Sequence, residues 1–217
     1  MKIRLLVVAF VALACCAIAG GQTRQKKPQP KAEPSAPQPA APQPSADQMQ
    51  REMQNAAPSA SHAALAKLVG EYTTASRFTA APGTAPMESG GEARLTMTLD
   101  GRFLVEDGSG SFAGQMSKSF KMLGYNNASK RYEGIWTYTM STAIMTLNGT
   151  SADGGRTINF NASWDDEGGA KRSLQIVMRQ IDDDHFVVEL TEKSADGKSG
   201  PVLKTTYTRK EKPTFGG

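Results

Sequence analysis

Cysteine is nearly absent from this chain of 217 residues: its two copies, Cys15 and Cys16, lie close to the N-terminus. Everything after them must fold without disulfides, so a hydrophobic core alone has to stabilise the domain, even in an oxidising space. Histidine is as scarce, with only His62 and His185, which excludes a multi-histidine metal site of the usual type. No apolar run reaches the roughly twenty residues that a helix needs to cross a bilayer. There is no Gly-x-Ser-x-Gly elbow, and Ser141 and Thr142 have no neighbouring histidine to activate them. A charge surplus is missing too, although the whole chain carries +4. From Pro58 onward 18 basic residues face 18 acidic ones, and the excess comes from Lys2, Arg4 and the segment that follows the leader. A neutral domain gives no ground for nucleic-acid binding.

What is present falls into distinct parts. Lys2 and Arg4 precede an apolar run over Leu5–Ala14, and Ala17-Ile18-Ala19 places small residues before a signal-peptidase cut between Ala19 and Gly20. Residues 1–19 therefore read as a signal peptide and the protein as exported, to the periplasm or beyond. An alternative uses the cysteines: Ala12-Leu13-Ala14-Cys15 and Leu13-Ala14-Cys15-Cys16 both approach a lipobox. Acylation of Cys15 or Cys16 would make a lipoprotein held on the membrane by that anchor and facing the periplasm. Residues 28–44 hold seven of the twelve prolines, mixed with Ala, Gln and Ser and without an aromatic. Such a composition cannot bury enough apolar surface to offset ordering, so residues 20–57 are expected to form a disordered tether. A domain over 58–212 and a short tail over 213–217 complete the plan.

The domain opens with one short helix, capped by Ser59 or Ser61, with Ala64, Leu65, Leu68 and Val69 as its apolar stripe and Gly70 as its stop. Beyond it the pattern alternates with period two. Leu95, Met97 and Leu99 alternate with Arg94, Thr96 and Thr98, and Asp100-Gly101 turns the chain into Arg102–Val105. Further runs occupy Tyr72–Phe78, Ser119–Tyr125, Arg131–Met140, Ile144–Gly149, Thr157–Trp164, Leu174–Met178, Phe186–Leu190 and Leu203–Thr208. Turn chemistry separates them, at Asn126-Asn127, Asp153-Gly154-Gly155, Asp165–Gly169, Asp182–Asp184 and Asp196-Gly197. The expectation is an all-β domain: an antiparallel up-and-down β-barrel of about ten strands, whose closure removes exposed edges.

A set of fragments in fixed order carries a resemblance. His62, Leu68-Val69-Gly70, Gly101-Arg102-Phe103-Leu104, Gly124-Tyr125-Asn126-Asn127, Trp136, Gly149-Thr150 and Tyr207-Thr208-Arg209 together resemble the bacterial family called domain of unknown function 1579, over His62–Lys210. The resemblance implies a lipocalin-like, or calycin, barrel and assigns no activity. Tyr72 stands where that family usually has Trp, and Thr137-Tyr138 replaces a more acidic stretch. No ligand is carried over from relatives for that reason.

The chemistry worth following lies on one strand face. Tyr132, Gly134, Trp136, Tyr138 and Met140 share it by alternation, Met145 and Leu147 follow across a hairpin, and Phe160 and Trp164 lie on the next strand. Such residues fill barrel interiors in any case. The functional alternative is that Gly134 and the methionines leave a cavity for an apolar ligand, with Tyr and Trp polar atoms orienting it. Arg102 and Arg131 could meet a ligand carboxylate, and Arg102 could equally cap the barrel base. Asp182-Asp183-Asp184 and Asp165-Asp166-Glu167 read as polar turns rather than cation sites. Haem would need an axial ligand, for which His185 at a strand start is the single β-region candidate, so no cofactor is expected. Asn127, Asn148 and Asn161 open Asn-x-Ser/Thr sites that read as chance. Three functions follow in order: binding of a small apolar or amphipathic ligand, a filled barrel acting as an envelope interaction or scaffold module, and an enzyme of unspecified type. No motif speaks to oligomeric state.

Overall fold

The structure, a computed structural model, describes residues 44–112, 114–193 and 199–211. The expected signal peptide, the lipobox reading and most of the expected tether fall outside the described residues. Two helices, α1 (Ala46–Ala56) and α2 (Ala60–Ala66), precede ten strands. These are β1 (Gly70–Thr79), β2 (Met87–Thr98), β3 (Phe103–Phe112), β4 (Gln115–Asn126) and β5 (Arg131–Tyr138). They continue as β6 (Met145–Thr150), β7 (Thr157–Asp165), β8 (Lys171–Gln180), β9 (His185–Lys193) and β10 (Ser199–Arg209).

Each strand pairs antiparallel with its neighbour in sequence, and β10 returns to β1 to close the barrel. It is an up-and-down barrel of the lipocalin-like kind. Alternation does the work: on β6, Met145, Leu147 and Gly149 are buried while Thr146, Asn148 and Thr150 face solvent. At the β2–β3 turn Leu99 leaves the expected strand. It, Asp100 and Gly101 take successive positive φ values of 48, 54 and 81°, a tight reversal that the glycine accommodates without strain.

The barrel has a base, where the chain enters, and a mouth at the opposite end. α2 plugs the base, burying His62 and Leu65, with Leu68 buried just beyond it. Its end is held by the last strand. Arg209 donates to the carbonyls of Val69 and Lys67 and lies over the Tyr72 ring, while the Tyr72 hydroxyl donates to the Leu68 carbonyl. Carbonyls that a helix C-terminus leaves unpaired are thereby satisfied. Val69, expected on the apolar stripe, is exposed instead, because the stripe ends where the chain turns into β1. Above the plug, Leu95, Leu104, Leu123, Ile158, Phe160 and Phe186 form a close-packed lower core.

α1 falls where tether was expected. Ser45 caps it, accepting from the Gln48 amide at 3.2 Å while its own amide donates to Gln48 Oε1 at 2.8 Å. None of its residues is buried. Its C-terminal end rests on two turns of the base: Arg102 donates to the Ala56 carbonyl, and Asn127 to those of Asn55 and Ala57.

Candidate functional site: a half-filled barrel

The upper half of the barrel is open. A cavity of about 520 Å³ extends from the top of the packed core towards the mouth, and its two walls differ in kind. β1, β3 and β4 supply small and hydroxyl-bearing residues, Thr74, Ser76, Gly108, Gly110, Ser117 and Ser119. The strands from β5 round to β10 supply a largely apolar wall that includes Tyr138, Met140, Trp164, Leu174, Leu190 and Leu203. A ligand here would meet a slot with one polar and one apolar side.

The floor is where the charge lies. Glu106 and Lys121 occupy directly paired positions on β3 and β4, both facing inward and each only 7% exposed. Lys121 Nζ donates to Glu106 Oε2 at 2.8 Å, and the Tyr207 hydroxyl donates to Glu106 Oε1 at 3.0 Å. Both carboxylate oxygens are therefore occupied. Burial, and then the Glu106 charge and hydrogen bond, push the Tyr207 phenol well above its ordinary pKa, so it stays protonated. Tyr207 stacks on Phe186 at 4.0 Å between ring centres, which joins this floor to the packed base.

The same cross-strand row continues to Trp136 on β5 and Met145 on β6. Lys121 Nζ sits 5.3 Å from the Trp136 ring centre, a cation–π contact. The indole Nε1 is buried without a hydrogen-bond partner, a destabilising arrangement costing about 1–3 kcal/mol.

The expected site residues separate by height. Trp136, Tyr138, Met140, Met145 and Trp164 line the cavity. Tyr132 and Phe160 face inward but belong to the lower core, each 2% exposed, because strand alternation sets which face a residue takes and not how far along the barrel it lies. Arg102 is outside, at the base, with its guanidinium on the Ala56 and Leu99 carbonyls. Arg131 is likewise outside and donates to Asn148. Neither arginine meets a ligand carboxylate inside the barrel.

Gly134 does not open the cavity either. A methyl group there would overlap the Met122 carbonyl oxygen, so glycine permits strand contact rather than empty space. His185 stands at the base end, paired through Nδ1 with Asp182 at 2.8 Å, and is not among the cavity-lining residues. Asp182 also accepts from the Asp184 and His185 amides, the hydrogen bonding of a polar turn. Among the described residues no group of three or more His, Cys, Asp or Glu is placed to hold a metal ion.

The family described as "Protein of unknown function (DUF1579)" matches residues 57–209. No curated protein matches the chain. Among solved structures it is similar to Rv2717c from M. tuberculosis, with 16% identity, TM-score 0.49, and 70% of this chain and 98% of that one covered. It is similar too to the S-type phycobiliprotein lyase CPES from Guillardia theta, with 12% identity, TM-score 0.48, and coverage of 68% and 91%. A third likeness is to EF1p2_mFAP2b bound to DFHBI, with 13% identity, TM-score 0.38, and coverage of 70% and 100%.

Proposed function

This chain belongs to the DUF1579 family, whose function is unknown, and we propose that its barrel is an exported binding protein for a small apolar or amphipathic molecule. One observation carries the reading. The lower half of the barrel is packed tight, whereas the upper half surrounds an open cavity of about 520 Å³. That volume falls within the roughly 300–1,000 Å³ of small-molecule sites, and the Trp, Tyr, Met and Leu wall matches their usual lining. An open mouth allows entry, and the base plugged by α2 makes it a cup rather than a channel.

A catalytic reading would rest on Glu106, Lys121 and Tyr207, since titratable groups converging in a cavity are the usual mark of an active site. Their geometry favours binding. Both Glu106 oxygens accept hydrogen bonds already, and Tyr207 holds its proton, so neither is poised as a free base. A filled barrel acting as a scaffold would need a packed interior, which the upper half does not provide.

The test is native mass spectrometry of the purified protein for a retained small molecule, together with titration by the neutral fluorescent probe N-phenylnaphthylamine. A saturable one-to-one fluorescence rise, weakened in Trp136→Ala, is the expected result. A barrel that retains nothing and never takes up the probe would remove the binding reading. Export is checked separately by the intact mass of envelope-extracted protein: a chain beginning at Gly20 supports the signal-peptide reading, and an acylated Cys15 or Cys16 replaces it with a membrane anchor.

A further inference from the structure

We infer that the cavity selects a neutral ligand that enters polar end first and presents a carbonyl-type hydrogen-bond acceptor to Lys121. The inference rests on the binding function proposed above and specifies its ligand. It begins with the charge on the floor. Among the described residues Lys121 is the only cation lining the cavity, and Glu106 neutralises it at 2.8 Å. The other lining carboxylates are paired elsewhere, Glu92 with Lys210 and Glu192 with Arg172. A carboxylate head would therefore arrive at a low-dielectric floor with no uncompensated positive charge, and would lie close to Glu106. An ammonium head would find Glu106 already engaged at both oxygens. Either ion would give up its hydration without gaining an uncompensated counter-charge.

A neutral acceptor escapes that penalty. An ammonium group carries three donors, and among the described residues Lys121 has one hydrogen-bond partner, Glu106. The remaining donors are available to a carbonyl oxygen, and a bond from a charged donor is stronger than one between neutral groups. The pair also asks for an explanation of its own. A buried ion pair is seldom more stabilising than apolar residues of the same volume, so the pair is better understood through what it presents to the cavity. Above it, the apolar wall covers the ligand body as far as the mouth.

The experiment measures displacement of N-phenylnaphthylamine by methyl laurate, laurate and dodecane, which share an apolar body and differ at the end. In the unaltered protein methyl laurate should displace the probe about tenfold more tightly than dodecane, as one hydrogen bond to a charged donor implies, and more tightly than laurate. Glu106→Gln leaves the Lys121 charge uncompensated, and the order of ester and carboxylate should invert. The double variant Glu106→Gln/Lys121→Met removes both charges of the pair and should bind ester and alkane about equally. Tighter binding of laurate than of methyl laurate to the unaltered protein overturns the inference, as does an ester preference that survives in the double variant. If the probe binds but all three displace it equally, the inference falls and the binding function stands. If the probe does not bind at all, the binding function itself has failed.

Discussion

Trp136 holds its indole N–H buried without an acceptor while its ring lines open space, and the two facts make opposite substitutions informative. Trp136→Phe removes the orphaned donor and keeps most of the ring, so thermal unfolding should occur at an unchanged or higher temperature. Trp136→Ala should cost less than the roughly 3–5 kcal/mol of truncating a fully packed aromatic residue, because part of its surface faces no protein atoms. Denaturant titration of both variants measures this. The neighbouring ion pair predicts the reverse pattern. Lys121→Met alone leaves Glu106 buried without its cation and should cost about 3–5 kcal/mol, most of which the double variant with Glu106→Gln should recover. His62 adds a pH dependence. Burial first, and then the nearby Arg102 charge, lower its pKa below the ordinary 6.5. Its Nδ1 accepts from the Ser59 amide at 2.9 Å, which requires that nitrogen to be unprotonated. The unfolded chain therefore takes up a proton more readily than the folded one. This contribution to stability is complete above about pH 6.5 and is lost as pH falls below it. His62→Gln keeps a side-chain acceptor at the capping position, so the variant should lose less stability than the parent on acidification from neutral pH. A parallel loss in both would place the pH dependence elsewhere.

Among the elements, α1 and α2 make contrasting demands. α2 closes the base, and the carbonyls of Lys67 and Val69 that follow it depend on Arg209, so Arg209→Ala should destabilise the barrel by about 2–3 kcal/mol through lost charged hydrogen bonds. α1 buries nothing and touches the base through Arg102 and Asn127, so a chain beginning at Pro58 should unfold within about 1 kcal/mol of one that retains α1. The sequence made the ten strands legible because each buries one face, and period-two alternation is the direct mark of that. It left α1 hidden because the segment beside it is rich in proline and polar residues and so reads as tether, although Ala46, Met49, Met53 and Ala56 recur at helical spacing and Ser45–Gln48 forms a capping box. Inward and outward positions were equally legible, which is why Trp136, Tyr138, Met140, Met145 and Trp164 lie together at the cavity. Height in the barrel was not, and so Tyr132 and Phe160 belong to the core. The floor escaped notice because charged residues in a strand are ordinarily taken as outward-facing. Leu104 and Leu123 point inward on β3 and β4, and two residues further from the base-side turn on each strand lie Glu106 and Lys121. Opposite charges at paired inward positions of one hairpin are a readable sign of a buried pair.

For the whole molecule, the ring of ten strands has no free edge among its paired elements, and its closing seam joins the first strand to the last. Tyr72 faces Arg209 and Thr79 faces Val202 across that seam, whereas every other pairing links neighbours in sequence. The hairpins can form as soon as their residues are available, but the seam must wait for the end of the chain. A seam between such distant segments carries the largest loop-closure entropy of any contact here and is expected to form last and to slow folding. Until then β1 and the last strand formed, β9 and then β10, present unpaired strand edges, the surface on which chains associate. A chain ending before Ser199 should accumulate as aggregate rather than as a smaller barrel, and size-exclusion chromatography would detect it. The cup therefore has a period of vulnerability set by the order in which its residues are made. In that interval its inward apolar wall is open to other chains.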